Sequence, residues 1–288
     1  MYKHQQRQLP LIKDNKPDYK DLHSQVMQNI ARKLDLAFKS FYGRVKKGKT
    51  PGFPRFKGKG RVHSLYYPQS GFAFTTNNKL KVSKIGSIRI KKHRALNGNI
   101  KTLSLNKSPS GKWFACFSVD AGEAPQPIPI ERIDEQKKVG IDLGINDFAF
   151  LSNGSQIKTI KHFKNLKSKL ALAQKRLAKK QRRSKNREKA KAKVITIHEK
   201  IANKRNDFLH KESKTLVKAY DLIVHENLMI KNMSRSAKGT VDTPGKMVKQ
   251  KAGLNRNILD MSWGRFLGML AYKAEEAGTQ VKGVPPNY

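Results

Sequence analysis

Asp142 and Glu226 are the residues whose type and placement could do chemistry. Each ends or nearly ends a short apolar run, Val139-Gly140-Ile141-Asp142-Leu143 and Leu222-Ile223-Val224-His225-Glu226. Runs of that length between turn signals read as buried strands. A carboxylate there needs water, a counter-charge or a metal. Singly, each acid fits an ordinary cap or salt bridge. Together, acids from neighbouring strands can converge on hard divalent cations, which take oxygen ligands and keep water for chemistry. Two such ions about 3.5–4 Å apart activate a water and stabilise the leaving oxygen in phosphodiester cleavage.

Other chemistries are poorly supplied. The single cysteine, Cys116, excludes an intramolecular disulfide and any Cys-x-x-Cys site, so no zinc site is expected. Its setting, Trp113-Phe114-Ala115-Cys116-Phe117, reads as a buried strand and an inert core thiol. The eight histidines are scattered without metal-ligand spacing, and no Ser-His-Asp or Cys-His arrangement stands out. Gly43-Arg44-Val45-Lys46-Lys47-Gly48-Lys49-Thr50 matches the P-loop pattern letter for letter. That motif needs a strand before it and a helix after it. Here a helix precedes and Pro51-Gly52-Phe53-Pro54 follows, so a basic turn is the better reading.

The partner is written in the charge. Sixty-one Lys+Arg against 21 Asp+Glu give 61 − 21 = +40 over 288 residues, which attracts a polyanion. No window approaches the roughly 18 apolar residues of a membrane span, and residues 1–15 lack the apolar core of a secretory signal. A cytoplasmic, nucleoid-associated protein is expected, with no membrane partner.

Four segments must position these residues. Residues 1–62 hold an amphipathic helix, with Leu22, Val26, Ile30, Leu34, Ala37 and Phe41 on one stripe and Gly43 as its end, followed by a basic Gly/Pro loop. Residues 63–120 are β-rich, with runs at 79–82, 87–90, 100–105 and 112–119. Residues 121–136 form a linker that opens with three prolines in 121–129. Residues 137–288 start with the Asp142 strand and continue as an antiparallel meander through 148–151 and 156–160. Between Lys161 and Arg205 stand eighteen Lys/Arg and two acids, Glu188 and Glu199. Leu166, Leu170, Ala173 and Leu177, then Val194, Ile197 and Ile201, keep helical spacing, so a long basic hairpin with a break near 182–186 is expected. Helix continues over 208–220, and 232–254 reads as a mobile loop. Ser262 starts a last helix, with Trp263, Phe266, Leu267, Leu270 and Ala274 on one face up to Gly278. The strand at 281–284 has no evident neighbour, so a frayed C-terminus is expected.

So few acids in the hairpin leave few i,i+4 pairs to justify a purely solvated face. Phosphate contact is expected at Arg55, Lys57, Lys59 and Arg61 in the loop, and at Lys175, Arg176, Lys179, Lys180, Arg182, Arg183, Lys185 and Arg187 in the hairpin. Phe53, Phe56, Tyr66 and Tyr67 are either core or stacking platforms for unpaired bases.

These residues resemble the TnpB/OrfB family of transposon-encoded, RNA-guided DNA endonucleases. Val139-Gly140-Ile141-Asp142-Leu143-Gly144-Ile145-Asn146 is similar to its first RuvC motif, and His225-Glu226-Asn227-Leu228 to its second. Ser262-Trp263-Gly264-Arg265-Phe266, with Leu270, Tyr272-Lys273-Ala274 and Gly278, resembles the helix that follows. Gly52-Phe53-Pro54-Arg55-Phe56-Lys57 resembles the recognition region, and Lys84-Ile85-Gly86 with Gly111-Lys112-Trp113-Phe114 the β-barrel wedge. The resemblance implies an α/β and α+β multidomain chain: a helical recognition segment, a β-barrel wedge-like domain and an RNase H-like (RuvC) domain. It implies Mg²⁺ at Asp142 and Glu226 as catalytic carboxylates, with DNA and a guide RNA from the transposon end as partners. The family continues into a zinc ribbon and a third acid beyond the last strand, so a member truncated at both ends with impaired cleavage is expected. An alternative is a nuclease-inactive, RNA-guided DNA-binding protein acting as a repressor or autoregulator. A generic basic RNA-binding protein would leave Asp142 and Glu226 unexplained.

Overall fold

The computed structural model describes residues 2–58, 60–75, 78–159 and 163–286, with backbone alone for 163–165. The chain divides into two compact units between Gly122 and Glu123, within the proline-rich stretch.

The first unit opens with α1 (Tyr2–Asn15), a helix that no apolar stripe announces and that buries none of its residues. It is tied to α2 (Ser24–Lys46) by Tyr2 N–H donating to Asp35 at 3.3 Å and by Lys13 Nζ donating to Ser24 Oγ at 2.7 Å. Helix α2 passes through Gly43, the expected stop. Nothing lies within 4 Å of a Cβ there, and a glycine inside a helix costs only about 1 kcal/mol. Residues 43–50 are therefore the end of a helix and its following turn, with no strand in front.

Six strands follow: β1 (Ser64–Tyr67), β2 (Phe72–Thr75), β3 (Lys79–Val82), β4 (Gly86–Arg89), β5 (Asn99–Lys107) and β6 (Trp113–Asp120). They form two antiparallel three-stranded sheets, β1-β5-β6 and β2-β3-β4. Among the described residues this is not the closed barrel expected. Closure needs continuous pairing around the wall, and no strand joins β4 to β5 across residues 90–98. Val26 of α2 shares one apolar cluster with Tyr67, Leu80, Val82, Leu103 and Leu105. Residue 62 is thus no boundary between compact units. Cys116 is exposed, which corrects its expected burial. Ala115 and Phe117 turn inward from β6, and strand alternation sends the residue between them out.

The second unit carries β7 (Lys138–Leu143), β8 (Ala149–Leu151), β9 (Gln156–Ile157), α3 (Phe163–Ala178), α4 (Lys185–Ala219), β10 (Leu222–Glu226), α5 (Ile230–Met233), α6 (Val248–Met261), α7 (Trp263–Ala277) and β11 (Gln280–Val284). The sheet order is β11-β10-β7-β8-β9. Strands β8 and β9 are antiparallel to their neighbours, while β10 runs parallel to both β7 and β11. One face is packed by Leu209, Leu216 and Val217 of α4 and by Trp263, Phe266 and Leu270 of α7. Phe148 sits edge-on between Phe208 and Phe266, at 5.0 and 4.9 Å. Helix α7 stops where Gly278 takes φ +73°, a left-handed turn that favours glycine.

Two expectations change here. Residues 248–254 are helical rather than loop, because Ile258 of α6 buries in the core and the helix formers before it extend that helix. Strand β11 is paired with β10 along its whole length, so residues 281–284 do have a neighbour. Of the expected linker, Ile133 is buried and belongs to the second unit. The expected strand end at Ile160 lies outside the described residues.

Candidate functional site

Strand alternation sorts the central strand into two faces. Val139, Ile141 and Leu143 of β7 enter the core, and Gly140 and Asp142 face the other way. In the parallel register Ile223 pairs with Val139, Val224 with Gly140 and His225 with Ile141. One step further, Glu226 comes beside Asp142 at the carboxyl ends of both strands. Open α/β sheets characteristically bind their ligands at that edge. On the other side, Phe150 of β8 is the cross-strand partner of Asp142. Both acids line one open cleft of about 430 Å³, with Gly140, Phe150, Ser152 and Val284 among its walls. Asp142 is exposed and Glu226 half-buried, so both carboxylates keep access to water.

The backbone around the pair is pinned. Ser152 Oγ accepts the Gly140 N–H at 3.0 Å, tying β7 to the turn after β8. Asn227 N–H donates to the Val284 carbonyl at 2.8 Å, extending the β10–β11 ladder past Glu226. A Cβ on Gly283 would fall 2.0 Å from Asn227 Oδ1, so glycine is what lets that carboxamide lie against β11. His225 Nδ1 donates to the Glu226 carbonyl at 2.9 Å. Ser152, Asn227 and Gly283 were not singled out as site residues. Only the Gly140–Ser152 and Asn227–Val284 pairings, made across the sheet, reveal their role.

The donor set suits a hard cation: two carboxylates on adjacent strands, open to water, over an apolar floor. Among the described residues no group of three or more His, Cys, Asp or Glu side chains converges as a metal cage. Asp147 does not line the cleft. Asp260 is held elsewhere, by Lys167 and by Arg205 Nη2, the latter at 3.2 Å.

The basic residues lie in two places, described unit by unit. In the first unit Arg55, Lys57 and Arg61 are exposed, and Lys59 lies outside the described residues. Phe53 stands edge-on to Phe38 and Phe41 at 5.7 and 5.3 Å yet stays exposed, and Phe56 is 89% exposed. Tyr67 is core and Tyr66 half-buried. In the second unit, Lys175, Arg176, Lys179, Lys180, Arg182, Arg183 and Lys185 are all exposed around the turn between α3 and α4. Arg187 is half-buried and donates from Nη1 to the carbonyls of Leu177 and Lys180, both at 3.0 Å. It closes the turn by adding a second donor to the Leu177 carbonyl, which already accepts the Lys180 N–H, and by holding the Lys180 carbonyl just past α3, while Ser184 Oγ caps α4 by accepting the Arg187 N–H.

Fold and site together define a mixed α/β protein with paired strand-end carboxylates and large cationic surfaces. A family model described as a probable transposase, OrfB_IS605, matches residues 123–237. The chain is 36% identical over 269 residues to the Escherichia coli (strain K12) protein named "Putative RNA-guided DNA endonuclease InsQ", covering 93% of this chain and 64% of that protein. It is 29% identical over 265 residues to a Streptomyces pristinaespiralis protein named "Putative RNA-guided DNA endonuclease", covering 91% of this chain and 59% of that one. A Cas12f1 chain, solved by cryo-EM with its sgRNA and target DNA, superposes with a TM-score of 0.48 at 13% identity, over 92% of this chain and 61% of that chain. By these matches the chain is similar to the TnpB/OrfB family. It spans 64% and 59% of the length of the two curated relatives.

Proposed function

We propose that the chain is a nucleic-acid-binding protein of the RNA-guided DNA endonuclease type, with Asp142 and Glu226 as the metal-holding carboxylates of an RNase H-like (RuvC) site. The observation that carries this reading is the convergence of both acids on one open cleft at the ends of adjacent parallel strands. The strand order, an antiparallel meander β7-β8-β9 followed by parallel β10 and β11, supports the RNase H-like architecture. The names of the two relatives support guide RNA and DNA as partners.

The chain's own residues divide the work. Asp142 and Glu226 hold and orient a divalent ion of the Mg²⁺ class. When bound, that ion supplies an activated water and neutralises charge at the scissile phosphate. The Gly140–Ser152 and Asn227–Val284 hydrogen bonds keep both strand ends fixed, so the carboxylates present preset geometry. Arg55, Lys57, Lys59 and Arg61 in the first unit and Lys175, Arg176, Lys179, Lys180, Arg182, Arg183 and Lys185 in the second hold phosphates, with Arg187 shaping the hairpin turn. Base pairing with the guide carries most of the sequence choice in such a system. This function places the protein with the nucleoid in the cytoplasm.

Two carboxylates hold one hard ion well, whereas a close pair of ions asks for more oxygen ligands. The second reading is a repressor or autoregulator that binds without cutting, favoured by the cleft having Asp142 and Glu226 as its acids among the described residues. The test is to purify the chain, sequence its co-purifying RNA, and assay cleavage of a matching duplex with Mg²⁺. Transposon-end RNA and slow nicking abolished by Asp142→Ala are expected. Random cellular RNA would overturn the guided reading, and cleavage that survives Asp142→Ala would overturn the site.

A further inference from the structure

The cleft that holds Asp142 and Glu226 also holds an aromatic side chain that can take no part in binding an ion. We propose that Phe150 is a specificity-determining residue of that site, stacking on the base of the nucleotide whose phosphate meets the acids. The proposal rests on the metal-site reading above and names the substrate contact beside it.

Register sets four side chains in one row across four neighbouring strands. Val284 of β11 pairs with Glu226 of β10, Asp142 of β7 lies one step past the His225–Ile141 pair, and Phe150 of β8 pairs with Asp142. Alternation gives the row a single face, because Ile141 and Leu143 beside Asp142, and Ala149 and Leu151 beside Phe150, all turn into the core. Phe150 is thereby held outside the core, and it is 41% exposed. Neighbouring strands lie about 4.8 Å apart. A ring one strand away from Asp142 is thus within reach of the base attached to a phosphate at the acids. Its Cε2 comes 3.9 Å from the place of a Cβ on Gly144, two residues after Asp142. The ring leans past the acid toward the carboxyl edge of the sheet, and glycine at 144 puts no side chain against it.

A single exposed aromatic needs no explanation by itself. This one stands out on two counts. A phenyl ring opposite a carboxylate makes none of the cross-strand pairs that stabilise a sheet, which join aromatics to aromatic or β-branched residues, or opposite charges to each other. Furthermore, no Lys or Arg is found among the described residues lining the cleft, so none of them grips the strand there by its phosphates. Beside the acids, these walls offer a nucleotide apolar surface: Phe150, Val224 and Val284. An aromatic face takes any base by stacking, with little regard to sequence. A paired base has its faces covered by its neighbours in the duplex, so the contact selects an unpaired nucleotide.

The experiment uses the full chain, freed of RNA, with Ca²⁺ as a hard ion of the same oxygen-ligand class. The probes are a labelled single-stranded oligodeoxynucleotide of about 12 nucleotides, the same backbone carrying abasic residues, and a blunt duplex. Each Kd is measured in EDTA and in Ca²⁺ at one ionic strength, so that binding to the basic surfaces cancels and the gain on adding Ca²⁺ reports the cleft. That gain is expected to be larger for the strand with bases than for the abasic strand or the duplex. Phe150→Ala is expected to cut it about tenfold and to abolish the difference between the strand and its abasic counterpart. Phe150→Tyr is expected to restore both, since a phenol ring also stacks. Calorimetric Ca²⁺ affinity and the melting temperature are expected to stay the same in Phe150→Ala, and a fall in either would make the ring structural and overturn the proposal. An undiminished gain in Phe150→Ala, or a gain as large for the abasic strand or the duplex as for the strand with bases, overturns the stacking contact and leaves the metal-site reading standing. Ca²⁺ binding that does not depend on Asp142 overturns the metal-site reading and this proposal with it.

Discussion

Asp142 and Glu226 share a face of the sheet, with no Lys or Arg among the described residues lining their cleft. Asp142 is exposed and Glu226 half-buried on the face away from the core, so neutralising either one leaves the packing of the folded state intact. Asp142→Asn and Glu226→Gln should therefore leave the melting temperature in EDTA unchanged. The same variants should weaken divalent-ion binding by calorimetry at least about tenfold, the scale reached even by outer partners of metal ligands. A fall in melting temperature with unaltered ion binding would make the acids structural. His23 gives a pH prediction at the same scale. Burial, then the charges of Lys13 and Lys84, hold its pKa below the ordinary 6.5. Between the folded value and 6.5 the unfolded chain binds more protons, so stability rises with pH across that window. Acidification below 6.5 should lower the stability of the first unit, levelling off below the folded value, and His23→Gln should flatten the dependence in pH-resolved thermal melts. An unaltered slope in the variant would assign the effect to other groups.

Three helices of the second unit meet at Asp260. The carboxylate lies on α6, while Lys167 comes from α3 and Arg205 from α4. Each charge is partly exposed, so removing the acid should cost about 1–2 kcal/mol, at the lower end for charged hydrogen bonds. Asp260→Asn should lower the denaturation midpoint accordingly, and high salt should shrink the difference; a salt-independent loss would point to packing instead. The element scale also shows what periodicity can and cannot tell. The Trp263–Phe266–Leu270–Ala274 face and its Gly278 stop were legible, because a buried stripe and a left-handed cap both leave residue signatures. Helix α1 was not, because it buries nothing and its hold on α2 is polar. Helix α6 was missed for a related reason: one buried residue, Ile258, anchors a polar stretch whose helicity depends on the core it touches.

At the scale of the molecule the chain is two units joined in a proline-rich stretch, with Glu123 exposed at the boundary. A glutamyl endopeptidase at low enzyme ratio should cut after Glu123 and leave two protease-resistant fragments of about the sizes of 1–123 and 124–288. Early cutting inside either unit, with Glu123 spared, would contradict the division. The sequence by itself determined the resemblance to the family, the two acids on short apolar strands and the +40 charge, because charge, short apolar strands and motif order are local properties. It also placed the acids at strand ends. Only the tertiary structure decided that they face one cleft, since parallel register across β7 and β10 pairs residues 84 positions apart, such as Val139 and Ile223. It likewise decided that Arg187 closes a turn, that Cys116 faces out and that Asp260 is held away from the acids. Each of these outcomes turns on which side of a strand or helix its neighbours cover, and a sequence read one residue after another does not carry that information.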